Sequence, residues 1–233
     1  MTEKITAIVP IKSPSSAKSR LRAALGREGT GALAWALAGH TLAVIESCGV
    51  IDELIVLTDD DEIERWVRMR GHVCLRDEPA LSLSANLELV VESLRPPSPH
   101  KKSAANQHRL VIIPADLPLL NRSAVERLIG QHEKGVLLCA TQRDGGTSAM
   151  IFEAATRFPL QYGLVASASA HQQVCERMGV PISVICLPEF ASDLDVPGDM
   201  RHPLRHQWSQ DVAETLKTHA RDQQRGKDTP CLT

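Results

Sequence analysis

The sequence predicts an α/β fold, a mainly parallel sheet with helices on both faces. Three observations carry that expectation. Short runs of Val, Ile and Leu alternate with longer stretches of helical spacing along most of the chain, the pattern of strand–helix–strand units. Several runs are apolar at every position, as strands covered on both faces are. The third is Leu110 to Pro118, LVIIPADLP. A buried central strand must stop there, because proline cannot donate to a ladder. Asp116 then stands past the carboxyl end of that strand, at the edge where open α/β sheets bind ligands.

Each element follows from its residues. Ile5 to Ile11 is an apolar, β-branched run and reads as the first strand. It breaks at Lys12, and Ser13-Pro14-Ser15-Ser16 is a turn-prone loop. Ala17 to Gly26 reads as a helix carrying Lys18, Arg20 and Arg22 and stopping at the glycine. A strand, a Ser-rich loop and a basic helix start together make a phosphate cradle, although a solvated surface helix explains the same residues. Neither a P-loop nor a Rossmann glycine fingerprint is present. Thr30 to Ser47 has helical spacing, with Leu33, Leu37, Val44 and Cys48 on one stripe; His40 on that stripe reads as a satisfied core or edge histidine.

Glu53 to Thr58 is the second strand. Asp59-Asp60-Asp61 either caps a helix beginning near Glu62 or touches a ribose or metal. The helix ends at Gly71, and His72 to Leu75 is the third strand. Ser84 to Leu94 is a helix with Leu87, Val90, Val91 and Leu94 as its apolar face. Residues 95–109 hold prolines, lysines and histidines with no apolar side chain beyond alanine, and are expected to form an exposed loop.

After the central strand, Ser123-Ala124-Val125-Glu126 reads as a capping box opening a helix to about Glu133. Val136 to Thr141 is the fifth strand. Asp144-Gly145-Gly146-Thr147 lets the backbone approach a ligand closely and sets a hydroxyl before a short strand, Ala149 to Phe152; a hairpin turn explains it equally. Gly163 precedes small residues, Ala166 to Ala170, that open a helix ending near Gly179, a second anion-favouring helix start. Ile182 to Leu187 is the last strand. Asp193 and Asp195 then stand one residue apart before Pro197. A final helix is expected from about Trp208 to His219, with Arg221 to Thr233 frayed. No repeat or linker divides the chain, so residues 1–205 read as one domain, and 206–233 as a C-terminal helix and disordered tail.

Composition narrows the function. A chain of 233 residues buries a sizeable core, built from aliphatics because aromatics are only 3%. A net charge of −2 gives no basic field for nucleic acid. The six cysteines lack metal-finger spacing and suit small buried hydrophobes in a reducing compartment. With no signal-like start and no apolar stretch long enough for a bilayer, a cytoplasmic protein without a membrane partner is expected. No oligomeric state is legible, though the last helix offers a contact surface.

The chemical candidates all follow strands: Lys12 to Arg22, Asp116, Gly145 to Thr147, Gly163 to His171, and Asp193 to Asp195. Carboxylates far apart in sequence can share a hard cation such as Mg²⁺, which prefers oxygen and also holds substrate phosphates. Cations of the first loop can neutralise a polyphosphate. Neither a nucleophile elbow nor HExxH occurs. Metal-assisted phosphoryl or nucleotidyl transfer is the chemistry that uses every cluster.

Four segments, IVPIKSPSSAKSRL, PADLPLL, DGGTSAM and LDVPGD, run in order over roughly residues 5–200. Together they resemble the guanylyltransferases of deazaflavin coenzyme F-420 biosynthesis, a family that includes 2-phospho-L-lactate and phosphoenolpyruvate guanylyltransferases. The resemblance implies a nucleotide-diphosphosugar-transferase-like (Rossmann-like) fold, a GTP donor and Mg²⁺. It also implies transfer of GMP to the phosphate of a small phosphorylated acid: phosphoenolpyruvate, 2-phospho-L-lactate or 3-phospho-D-glycerate. By the same resemblance Asp116 and Asp195 are metal ligands, with Asp193 a further candidate, and Asp116, Lys18 and Arg20 are catalytic. Thr147, Gly163 and Ser167 would hold the acid, and Lys12 would lie near the nucleotide phosphates.

Three departures bear on the acceptor. Ser148 stands where the family has Asn. Tyr162-Gly163-Leu164-Val165-Ala166-Ser167 is one residue longer than the family's Phe-Gly-x-x-Ser, and Val196-Pro197 replaces Thr-Pro. The first two fall in the expected acceptor pocket, and the longer spacing predicts an enlarged pocket suited to 3-phosphoglycerate unless a bulge absorbs the residue. His171 either orients the acceptor or sits on a helix face. Molybdopterin guanylyltransferases and sugar-acid cytidylyltransferases share the fold, but commonly open with a Gly-rich loop that Pro10-Ile11-Lys12-Ser13 lacks. A non-catalytic nucleotide-binding domain would not need both Asp116 and Asp195.

Overall fold

The computed structural model describes residues 3–95 and 108–227, and of 220–227 the backbone only. Its strands are β1 (Lys4–Pro10), β2 (Glu53–Thr58), β3 (Val73–Arg76), β4 (His108–Ile112), β5 (Val136–Ala140), β6 (Thr147–Glu153) and β7 (Ile182–Ile185). They form one sheet in the order β3-β2-β1-β4-β6-β5-β7. The pairs β1–β2, β1–β4, β2–β3 and β5–β7 are parallel, while β6 runs antiparallel to both β4 and β5. The mainly parallel sheet is therefore present with one reversed strand. The reversal follows from chain length: residues 141–146 suffice for a hairpin, whereas a parallel return needs a crossover of a dozen or more. Strand order changes direction between β1 and β4, which opens a crevice at their carboxyl ends.

The helices are α1 (Arg22–Ser47), α2 (Asp61–Met69), α3 (Leu83–Ser93), α4 (Arg122–Gly130), α5 (Ser167–Met178) and α6 (Gln210–Lys227). Alternation along the strands divides the core between the faces. Ala7, Val9, Val56 and Val111 pack with Leu42 and Ile45 of α1, Ile63 of α2 and Leu128 of α4. Ile8, Ile55 and Ile112 face the other way, onto Leu87 and Val91 of α3 and Val174 of α5. A third cluster joins Leu25, Leu33 and Leu37 of α1 to Leu194, Trp208 and Val212. The C-terminal helix thus packs on α1 and does not project from the domain. Gly29 permits the close approach, since a Cβ there would lie 2.9 Å from the His219 Cβ.

Several boundaries differ from expectation for local reasons. Ser19–Leu21 is a short 3-10 turn, and Gly26 (φ 72°, ψ 179°) breaks the helix as expected, but the chain resumes helical geometry directly. The cap of α4 is Asn121, whose side chain accepts the Ala124 N–H at 3.0 Å. Ser123 already lies inside the helix, which ends at Gly130 and not near Glu133. Asp60 caps α2 by accepting from Glu62 and Ile63. His108 and Arg109, read as loop, begin β4; residues 96–107 of that expected loop lie outside the described residues. The last helix, expected to stop near His219 with the chain frayed from Arg221, continues to Lys227, and 228–233 lie outside the described residues. His40 is half-buried, and burial pushes its pKa down. The Leu120 backbone hydrogen-bonds the ring, while Nε2 has no partner among the described residues, so the satisfied histidine expected is satisfied on one side only. Cys48, Cys74, Cys139 and Cys175 are free and buried, and Cys186 is free and exposed. No described helix is long and apolar enough to cross a membrane.

Candidate active site

The crevice between β1 and β4 is where the charged candidates meet. Ile113 extends the ladder by one bond, its N–H 3.1 Å from the Ile8 carbonyl, and Pro114 then ends it. The Asp116 carbonyl accepts the Leu194 N–H at 3.1 Å, so the PADLP turn and the late acidic loop are tied together. That loop is fixed by Asp199, whose carboxylate accepts the backbone N–H groups of Asp195 (2.8 Å) and Val196 (2.7 Å). Lys18 fills the space between: its Nζ lies 3.0 Å from Asp116 Oδ2 and 3.9 Å from Asp195 Oδ1. Arg20 Nη1 completes the group, 2.9 Å from Asp195 Oδ2.

Lys18 is unusual in two ways. Its side chain is only 9% exposed, and its backbone is left-handed (φ 53°, ψ 34°). A non-glycine residue there is strained by roughly 1–2 kcal/mol, and such strain gathers at functional positions. The preceding loop is held from both ends. The Ser13 carbonyl takes the N–H groups of Ser16 and Ala17, while its hydroxyl donates to Asp60 at 2.7 Å and its N–H to Asp59 at 3.3 Å. Lys18, Asp116 and Asp195 line one end of a cleft of about 570 Å³, and Lys12 lines its wall at the end of β1.

Asp193 behaves differently from Asp195. It pairs with Arg143 at 2.9 Å, and the same guanidinium holds Asp199 at 2.8 Å. Burial and the charge of Asp116 push the Asp193 carboxyl up, against Arg143 and Lys18. Arg143 and Asp199 thus brace the loop that presents Asp195, a role no spacing in the sequence signalled. Among the described residues no three His, Cys, Asp or Glu side chains gather as a metal cage. Two carboxylates opening on a cleft still fit Mg²⁺, which commonly takes one or two from the protein and the rest from water and phosphate.

The acceptor candidates form a second, buried group. The β4–β6 register, with Ile112 opposite Met150, carries Thr147 to the same sheet edge as Asp116. Thr147 N–H donates to Ser167 Oγ at 2.9 Å, and Ser167 Oγ lies 3.1 Å from Thr147 Oγ1. His171, fully buried, stands 3.1 Å away through Nδ1. Its Nε2 accepts the Gln161 N–H at 2.8 Å. An acceptor at Nε2 places the proton of the neutral ring on Nδ1, so that nitrogen donates to Thr147 Oγ1. With His171 and Ser167 donating to it, the Thr147 hydroxyl has its own proton uncommitted by these bonds.

One expectation about this pocket is corrected and one open choice is decided. Ser148 is not part of it, because strand alternation turns its hydroxyl onto the Cys139 carbonyl at 2.9 Å. In the longer 163–167 loop Ser167 bonds Thr147. Val165 is thrown out to 94% exposure and Ala166 adopts a left-handed conformation (φ 52°), so the loop forms a bulge. Gly163 (φ 83°) shapes the turn but enters none of these hydrogen bonds among the described residues.

Burial pushes the His171 pKa down from 6.5 to about 4. The folded ring stays neutral where an unfolded one would bind a proton, so this stability is full above about pH 6.5. It is lost as pH falls towards 4, by on the order of 3 kcal/mol. His171→Asn, whose amide can replace the Nδ1–H, is expected to flatten that pH–stability profile in urea titrations. It should also preserve acceptor binding better than His171→Gln; the reverse order would remove the assigned tautomer.

With this geometry in view, a family model described as "Guanylyl transferase CofC like" matches residues 5–218. The chain belongs to this family. Among curated CofC-like relatives, phosphoenolpyruvate guanylyltransferase of Sphaerobacter thermophilus is 27% identical over 202 residues, covering 86% of this chain and 92% of the relative. The 3-phospho-D-glycerate guanylyltransferase of Colwellia psychrerythraea is 29% identical over 196 residues, covering 83% and 88%. Among solved structures, a Desulfovibrio desulfuricans protein described as a nucleotide-diphospho-sugar transferase aligns with TM-score 0.70 over 95% of this chain and 98% of its own. At 15% identity that likeness shows the fold, a nucleotide-diphosphosugar-transferase-like sheet. These relatives are thus named for different acceptors.

Proposed function

We propose that this chain is a GTP-dependent guanylyltransferase that joins GMP to the phosphate of a small phosphorylated three-carbon acid and releases pyrophosphate, in the cytoplasmic biosynthesis of coenzyme F-420. The candidate acids are phosphoenolpyruvate, 2-phospho-L-lactate and 3-phosphoglycerate. The observation that carries the reading is Lys18 between Asp116 and Asp195 at the crevice of the sheet, in a chain of a guanylyl transferase family. The cleft beside β1–β3 takes the nucleotide, and the Thr147–Ser167 group takes the acid, with Asp116 between them.

An oxygen of the acceptor phosphate, anionic at neutral pH, attacks the α-phosphorus of GTP. A new P–O–P bond forms as the bond to the β-phosphate oxygen breaks, so no general base is needed. The protein's part is positioning and neutralising charge. Lys18 and Arg20 leave their carboxylates for the phosphates, and Lys12 lies along the same path. Asp116 and Asp195 would hold Mg²⁺, which as a Lewis acid stabilises charge developing on the phosphoryl oxygens. Thr147 donates its free proton to the acid. Thr147→Ala should therefore lower the acceptor's kcat/KM roughly ten- to a hundredfold, while the KM for GTP stays within twofold.

Pyrophosphate release measured for each acid against GTP, ATP and CTP tests the reading. Release only with GTP and at least one of the acids is the expected result. Faster release with CTP and a sugar acid would transfer the chain to the cytidylyltransferase alternative.

A further inference from the structure

Asp77 lies at the end of the cleft away from Asp116, and its carboxylate has work left to do. It follows β3 directly, and its N–H still bonds the Thr58 carbonyl at 3.0 Å, so the sheet fixes its place. The next residue is clamped by Asn86, whose Oδ1 accepts the Glu78 N–H at 2.8 Å and whose Nδ2 donates to the Glu78 carbonyl at 3.1 Å. Asn86 is 4% exposed and satisfied by these bonds, so the turn is rigid. Asp77 lines the cleft, and its Oδ1, turned inward, has no donor among the described residues; rotation about the broad terminal torsion of an aspartate brings both oxygens to a ligand, which can then supply the missing donors. Burial and Asp59 push this carboxyl up, with Lys12 opposing them. Pro79, Leu81 and Leu83 give the adjoining wall an apolar surface for a planar ring. Three strand spacings, β4 to β1 to β2 to β3, separate the ends of the cleft by roughly 14 Å, a span suited to a nucleoside triphosphate.

We infer that Asp77 reads the nucleobase, its carboxylate accepting the N1–H and 2-amino group of guanine. This rests on the reading of GTP as donor. Guanine alone among the common bases presents two adjacent donors on that edge. Adenine pairs a ring acceptor with an amino group, cytosine does the same, and uracil flanks its single N–H with carbonyls. The inference therefore assigns nucleotide choice to the β3 turn, far from the acid.

The test compares GTP, inosine triphosphate, xanthosine triphosphate and ATP, by calorimetric binding and by turnover, for wild type and Asp77→Asn. Wild type should prefer GTP over inosine triphosphate, which lacks the 2-amino group, by roughly tenfold. Asp77→Asn should lose GTP roughly ten- to a hundredfold and gain xanthosine triphosphate, whose 2-carbonyl accepts from the new amide. The acceptor KM and thermal midpoint should stay near wild type. Wild-type ratios retained in Asp77→Asn, or an equal fall for all four nucleotides, would overturn the assignment and leave Asp77 to the ribose or the loop. Absence of GTP turnover with every acid would instead sink the guanylyltransferase reading, while the binding ratios would still judge Asp77.

Discussion

Asp116→Asn is expected to lower kcat by roughly a thousandfold or more, the several kcal/mol that a metal-held charge contributes to phosphoryl chemistry. The substitution keeps shape and removes charge from an oxygen that faces both Lys18 and the cleft. It removes no core contact, because the side chain is 31% exposed and the turn is held by its backbone carbonyl through Leu194. Thermal unfolding should therefore shift little. Equilibrium Mn²⁺ binding in the presence of GTP should fall with activity. A folded variant at wild-type rate would remove Asp116 from the chemistry.

The second large effect is expected at Lys18. Lys18→Met retains the stem but loses the ammonium, leaving Arg20 as the remaining cation on Asp195. On the nucleotide side this should lower kcat/KM for GTP roughly a hundred- to a thousandfold, the range seen when one preorganised charge donor is removed from an active site. The acceptor's KM should change much less. A change confined to the acceptor's KM would move Lys18 to the acid pocket.

What was legible in the sequence follows from how local the cause was. The buried strands are contiguous apolar runs, and Pro114 and Pro118 announce where the central one must end. Asp116 and Asp195 could be named because each sits in a short segment with its own turn chemistry. Their meeting, with Lys18 between, could be expected only from the strand-end rule and the family resemblance. The supporting contacts were not legible. Arg143 on Asp193 and Asp199, His171 on Thr147, and Asn86 on Glu78 join residues whose separation carries no periodic signal. One error and one open choice have the same origin. Ser123 met the capping pattern, but Asn121, two residues earlier, took the cap. The longer 163–167 loop allowed a wider pocket or a bulge, and the exposed Val165 and left-handed Ala166 form a bulge. The packing of α6 on α1 depends on the absence of a side chain at Gly29, which no amphipathic pattern reveals.

The acceptor range also follows from this division. Since Ser148 points away and Ser167 bonds Thr147, the bulge gives no reason to favour 3-phosphoglycerate over the other two acids. Specificity should instead reside in what the Thr147 proton and the Ser167 region meet. Initial rates with the three acids side by side, compared between wild type and a chain lacking Val165, would expose any contribution of the bulge.

Transfer of GMP at the proposed Lys18–Asp116–Asp195 site is decided by its product. Purified protein is incubated with Mg²⁺, GTP and each acid in turn, and the mixture is resolved by mass spectrometry and phosphorus NMR. Expected, for at least one acid, are a guanosine product with a new diphosphate link to that acid and one pyrophosphate for each GTP consumed, both formed roughly a thousandfold more slowly with Asp116→Asn. GTP left intact with all three acids, or GDP and inorganic phosphate as the products, would contradict the transfer.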